Sequence, residues 1–153
     1  YSDIINLGKL IPNLVHFRLS KPFETTKELA DVAKMSAPKN KENKYLAQVF
    51  QALRIEVNQE LESLKDLLEQ ATKVIKPGGR LVVMSYHSLE DRIVKNYLKR
   101  GSFEGNIEKD FFGNVIKPFT EITRHPMVAG EDEILMNSRS RSAKLRIAVR
   151  NEG

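Results

Sequence analysis

Where a short apolar run gives way to a helical pattern, the chain reads Ser85-Tyr-His-Ser88. In open α/β sheets ligands bind beyond the carboxyl ends of strands, so these four residues hold the favoured position. His87 can orient a substrate or accept a proton near neutral pH, and a helix N-terminus behind it offers free amides to an anion or polar ligand. The competing reading is structural: Ser88 caps the helix and His87 is a turn residue bonded to backbone. Two further groups matter. Gln51, Arg54 and Asn58 sit three and four apart, which makes one polar stripe on a helix. A row of Gln, Arg and Asn can contact a nucleotide, although a solvated helix face is the commoner use. In Asn137-Ser-Arg-Ser-Arg-Ser142, an extended backbone would put Arg139 and Arg141 on one side, where guanidinium groups suit bidentate phosphate contacts and hydroxyls can donate to phosphates. A flexible basic loop is the bland alternative.

Much chemistry is excluded. There is no Cys, so thiolate metal sites, disulfides and a Cys nucleophile are absent. Three histidines, His16, His87 and His125, are too far apart in sequence to suggest a His-based metal site. Neither a P-loop nor a G-x-S-x-G elbow occurs, and Gly78-Gly79 precedes a strand, the wrong order for a phosphate cradle. Glu131, Asp132 and Glu133 share a polar turn and read as solvated. On residue chemistry alone the chain has no complete active site, and no catalytic residue is assigned.

The elements that must position these residues are legible in the periodicity. Ile4, Leu7, Leu10, Ile11 and Leu14 have helical spacing, and Pro12 is expected to kink or divide that element. Thr25 or Thr26 can cap a helix through Lys27 to Lys34, and Ser36 to Asn43 reads as a loop. Leu46, Val49, Leu53, Val57, Leu61, Leu64, Leu68, Ala71 and Ile75 recur at spacings of three and four. That predicts one helix of about 30 residues, about 45 Å long, stopped by Lys76-Pro-Gly-Gly79. Arg80 to Ser85 is almost wholly apolar, the pattern of a strand buried on both faces. The helix that follows is predicted to be capped by Ser88 with Asp91 in the capping-box position, and to exit at Gly101. Ser102 to Asn114 is expected to be loop. Val115 to Arg124 is strand-like, with Pro118 favouring an edge, and Glu131 to Met136 suggests a helical turn. Ala143 to Arg150 alternates, with Leu145, Ile147 and Val149 on the face expected to be buried and Lys144, Arg146, Ala148 and Arg150 opposite. Helix, strand, tight turn and helix together give an α/β fold.

Length and charge set the frame. At 153 residues the chain is one domain's worth, with 41% hydrophobic and 29% charged residues, an ordinary globular mixture. No apolar run approaches the roughly 20 residues of a membrane span, and no secretory segment opens the chain, so a cytoplasmic setting is expected. The first residue is Tyr1 and not Met, which suggests a piece of something longer. Net charge is +5. Residues 137–150 hold five basic residues and no acid, and the rest of the chain balances at 20 basic against 20 acidic. Such local excess suggests a phosphate-bearing partner, or cations guarding a strand edge.

Four stretches carry a resemblance. Phe50-Gln-Ala-Leu-Arg-Ile-Glu-Val-Asn-Gln-Glu-Leu61, Lys76-Pro-Gly-Gly-Arg-Leu81, Tyr86-His-Ser-Leu-Glu-Asp-Arg-Ile-Val-Lys95 and Asn137-Ser-Arg-Ser-Arg-Ser-Ala-Lys-Leu-Arg146 resemble the RsmH (MraW) family, and Thr25-Thr-Lys-Glu-Leu29 resembles its helical insert. That family methylates the N4 amine of a cytidine in small-subunit ribosomal RNA, with S-adenosylmethionine as donor. The resemblance implies a partial Rossmann-like methyltransferase sheet of about three strands with the long helix. It further implies part of a helical insert over residues 1–43, the methyltransferase domain's C-terminal part over 44–150, and a tail at 151–153. Family members are about twice this long, and the Gly-rich loop and acidic ribose contact that hold the donor are not in this sequence. The chain therefore resembles the second half, with no cofactor-binding residue expected here. It would contribute the substrate side: His87 and Ser88 at a pocket rim, Arg54 and Asn58 in its wall, and Asn137, Arg139 and Arg141 toward RNA. The implied partner is the small ribosomal subunit, with no membrane involved. An isolated half would leave a sheet edge and an apolar face uncovered, so self-association is expected. Two other classes remain in view: a non-catalytic RNA-binding module, and a helical interaction protein built on the long helix.

Overall fold

A computed structural model of the chain describes residues 4–152. The described residues pack as two compact units, divided between Glu60 and Leu61.

The first unit is helical. Helix α1 spans Leu7–Ser20, α2 Thr26–Lys34 and α3 Glu42–Asn58. Pro12 lies inside α1 without dividing it. Thr25 caps α2 through a full capping box: its hydroxyl accepts the Glu28 N–H while the Glu28 carboxylate accepts the Thr25 N–H. Leu10, Ala33, Tyr45 and Val49 form the core of this unit, flanked by Ile4, Leu14, Ala37 and Leu46.

The predicted 30-residue helix is interrupted. Gln59 adopts φ 50°, ψ 39°, closing α3 with its N–H on the Ile55 and Glu56 carbonyls, and α4 starts afresh at Glu60 and ends at Val74. The apolar stripe accordingly serves two cores. Leu46 and Val49 belong to the first, Leu64, Leu68, Ala71 and Ile75 to the second, and Val57 near the break is exposed. Spacing alone continued through the break because i, i+4 apolar residues occur on both sides of it.

In the second unit β1 (Arg80–Ser85) leads into α5 (Ser88–Arg100), followed by β2 (Phe119–Glu121), β3 (Met127–Val128), α6 (Glu131–Met136), a 3₁₀ helix over Ser138–Ser142 and β4 (Lys144–Arg150). The sheet has four strands, one more than expected. Strand β4 pairs antiparallel with β1, β2 and β3, and β1 lies at an edge. Gly101 ends α5 in the left-handed region, as expected, where a Cβ would lie 2.6 Å from the Ile116 carbonyl.

Two burial expectations are corrected. Strand β1 is covered on one face only: Leu81 and Val83 pack on the core, whereas Val82 and Met84 are 55% and 53% exposed. Strand β4 turns the opposite face inward from the one predicted. Arg146 and Ala148 are buried at 7% and 0%, while Leu145, Ile147 and Val149 share the outer face with Val82 and Met84. Arg146 can face the core because Asp91 of α5 meets its guanidinium with hydrogen bonds of 2.7 and 3.2 Å, and Glu121 lies 3.5 Å away. Arg150 likewise lies over the Phe119 ring. Leu68, Ala71, Val94, Tyr97, Leu98, Phe119 and Ala148 complete this core.

Candidate functional site

The strand-to-helix turn is fastened by a local network. His87, not Ser88, is the N-cap of α5. Its Nδ1 accepts the Glu90 N–H at 3.4 Å, while Glu90 Oε2 accepts the Tyr86 N–H at 3.0 Å. An imidazole that accepts at Nδ1 carries its proton on Nε2 when neutral, and that nitrogen lies 3.1 Å from Glu90 Oε1, out of line for a hydrogen bond. Ser88 becomes the first helical residue. Asp91, expected as the box partner, is recruited instead by Arg146 and Lys144. Burial pushes the Asp91 carboxyl up, and hydrogen bonds and charge from Arg146 and Lys144 more than offset it, so it titrates below the ordinary carboxylate value.

Beyond the end of β1 lies a cavity of about 260 Å³. Met84 and Tyr86 line it from β1 and its exit, Met127, Val128 and Ala129 from β3 and its exit, Glu133 from α6, Asn137, Ser140 and Ala143 from the segment entering β4, and Leu145 from β4 itself. Its mixed aromatic, thioether, carboxylate and amide lining can hold a flat ligand and orient it with a few polar contacts. Tyr86 and Asn137 are therefore brought to one cavity from positions 51 apart. His87, Ser88, Arg139 and Arg141 flank those two residues in sequence without lining it.

The basic segment is not extended. Asn137 caps the 3₁₀ helix, its Oδ1 accepting the Arg139 N–H at 3.2 Å, and Ser140 is buried with its hydroxyl donating to the Asn137 carbonyl at 2.7 Å. Arg139 and Arg141 are thus two steps apart on a threefold helix and point to different sides. Both are exposed, and neither guanidinium has an ion pair among the described residues. Of the five basic residues in 137–150, Lys144 and Arg146 are spent on Asp91 and Arg150 on backbone carbonyls. Arg139 and Arg141 remain for a partner.

Arg54 and Asn58 belong to the first unit and converge on a carboxylate that the polar-stripe reading lacked. Arg54 binds Glu60 in bidentate fashion at 2.7 and 3.0 Å, and Asn58 Nδ2 donates to it at 3.2 Å. Glu60 and Glu90 are the residues that sequence reasoning missed. A Glu three residues after a turn residue is the available signal for Glu90, obscured because His is an unusual cap.

Strand-end cavity, fastened histidine turn and arginine-bearing segment occur in a chain whose residues 3–151 match the model of the MraW methylase family. The chain belongs to that family. It is 51% identical over 150 residues to a ribosomal RNA small subunit methyltransferase H of Amoebophilus asiaticus, covering 98% of this chain and 48% of the relative. The proteins of the same name from Cytophaga hutchinsonii and Parabacteroides distasonis are each 53% identical, over 150 and 148 residues, at 50% and 48% of their lengths. The chain thus spans about half the length of the curated relatives it matches.

Proposed function

We propose that this chain is the RNA-facing part of an enzyme that transfers a methyl group from S-adenosylmethionine to the N4 amine of a cytidine in small-subunit ribosomal RNA. The observation that carries the reading is the cavity beyond β1, flanked by two unpaired arginines, in a member of the MraW methylase family. Methyl transfer to an exocyclic amine needs positioning and exclusion of water more than acid–base groups, and the base must leave its stack to reach the donor. Tyr86 and Asn137 supply a stacking face and a polar contact for such a base. Arg139 and Arg141 hold phosphates outside the cavity, and the Glu90-fastened His87 turn keeps Tyr86 in place. Arg54 and Asn58, held by Glu60, offer the substrate RNA a separate polar contact on the first unit in this reading.

The adjacent glycine pair does not form a cradle for the donor: the Gly78 N–H donates to the Arg150 carbonyl and the Gly79 N–H to the Lys76 carbonyl. Gly78 and Gly79, the adjacent pair, are used up in the turn from α4 to β1. A Cβ at Gly79 would lie 2.7 Å from Ile75 Cγ2 and 2.8 Å from the Lys76 carbonyl, so the space beside that glycine is filled by its own chain. The donor is held by residues outside this chain, which is inactive alone. The partner is the small ribosomal subunit, in the cytoplasm; no helix among the described residues is long and apolar enough to cross a membrane.

Unpaired arginines without a donor cradle also favour a second reading, a non-catalytic RNA-binding module. Nucleoside mass spectrometry after incubating the longer protein with S-adenosylmethionine and small-subunit RNA separates the two. N4-methylcytidine supports the enzyme, and its absence with RNA binding retained supports the module. In the same protein, Arg139→Ala with Arg141→Ala weakens RNA binding and lowers the salt slope by about 2; unchanged affinity contradicts the phosphate assignment.

A further inference from the structure

The first unit contains a second cavity, of about 300 Å³, lined by Ile5, Pro38, Lys41, Lys44, Tyr45 and Gln48. Two features make it unusual. Tyr45 is 1% exposed, its ring packed among Leu10, Ala33 and Val49, yet its hydroxyl has no hydrogen-bond partner among the described residues. A buried phenol is normally satisfied, and a core that needed only the ring would be served better by Phe. Burial also raises the titration of this hydroxyl, which keeps it a donor. The second feature is the start of α3. Lys41 is its N-cap without a side-chain cap, so the N–H groups of a 17-residue helix begin unsatisfied beside two lysines. The one acid of that turn, Glu42, turns back to accept the Asn40 N–H at 3.2 Å.

We propose that this cavity is a binding site for a phosphate group. Lys41 and Lys44 supply charge, the first turn of α3 supplies amides, and Gln48 and the Tyr45 hydroxyl supply oriented donors. Every polar side chain in the lining can donate and none is anionic, which selects an oxyanion over a cation. A lone helix terminus would not make this selection; the buried, unpartnered phenol does. The phosphate comes from an RNA backbone or from a free small molecule, and only the first source rests on the function proposed above.

The test is a titration of inorganic phosphate into the isotopically labelled 153-residue chain at constant ionic strength, followed by amide chemical shifts. Saturating shifts centred on Glu42 to Tyr45 are expected. Tyr45→Phe should weaken binding about fivefold, the loss of one hydrogen bond, while leaving the unliganded melting temperature unchanged or higher. Lys41→Gln with Lys44→Gln should weaken it at least about tenfold. Absent shifts, shifts spread over all lysines, or unchanged binding in Tyr45→Phe overturn the site. A short single-stranded RNA that displaces phosphate, when its methylphosphonate counterpart does not, identifies the backbone as source. Failure of both to compete overturns that source and leaves methyl transfer untouched.

Discussion

Asp91 and Arg146 face each other with both side chains about nine-tenths buried, and Lys144 adds a third charge at 3.3 Å. Removing one partner of such a pair strands the other in a poor solvent, which costs more than the pair contributes. Asp91→Ala is therefore expected to destabilise the second unit by about 3 kcal/mol in chemical denaturation, and a change below about 1 kcal/mol contradicts the buried-pair account. The pH dependence has a definite sign. A carboxyl whose folded-state value lies below its ordinary 3.8 stabilises fully above 3.8 and loses that stabilisation as pH falls through the lowered value. Wild-type stability should thus drop below about pH 4 more steeply than that of the Asp91→Ala variant. None of this pairing was legible in the sequence. Asp91 and Arg146 are 55 residues apart, and locally each looked like something else, a capping-box acid and a solvent-facing strand residue. The positions of Tyr86 and Asn137 were legible because strand end and basic motif are local signals, but their meeting in one cavity is set by the β1–β4 register.

At the scale of elements, punctuation decided what could be read. Gly101 and Pro118 act through one residue's backbone and Thr25 through its own hydroxyl, so α5's exit, the edge character of β2 and the start of α2 were legible, although the strand-like run 115–124 forms β2 only over Phe119–Glu121. Thr25→Ala removes one of the two reciprocal cap bonds and should destabilise the first unit by about 1 kcal/mol. Its partner Glu28 is drawn down to about 2 by hydrogen bonds from Lys21 and from backbone, so the box should persist in helical circular dichroism until pH approaches that value. The break at Gln59 was not legible, because Gln has no special liking for φ 50°; the exposed residue is held there by its own N–H on the Ile55 and Glu56 carbonyls, beside the Arg54 and Asn58 bonds to Glu60. Gln59→Gly relieves that conformation and should raise stability by about 0.5 kcal/mol after the added freedom of the unfolded chain is counted. A loss of more than about 1 kcal/mol would mean that the Gln side chain matters more than its backbone. The 3₁₀ helix at 138–142 was missed for a similar reason: Ser-Arg repeats have no periodic apolar face, and it is Asn137's cap and buried Ser140 that coil them.

For the whole molecule, the sheet defines the behaviour. Val82, Met84, Leu145, Ile147 and Met127 form one continuous apolar face across β1, β4 and β3, beside an edge strand whose outer hydrogen-bonding side is unpaired among the described residues. A face of that kind drives association in water. The 153-residue chain is expected to self-associate in sedimentation experiments, and Val82→Lys with Met84→Lys to shift it toward monomer; a clean wild-type monomer at high concentration contradicts this. The sequence placed strands and apolar residues but misjudged which were covered, since coverage depends on what packs above the sheet. Calorimetric titration of S-adenosylmethionine into this chain tests the central claim, that it supplies the RNA side and not the donor site. The expected result is no binding, with RNA binding retained. Clear saturable binding would show a donor site built from these residues and would contradict the account.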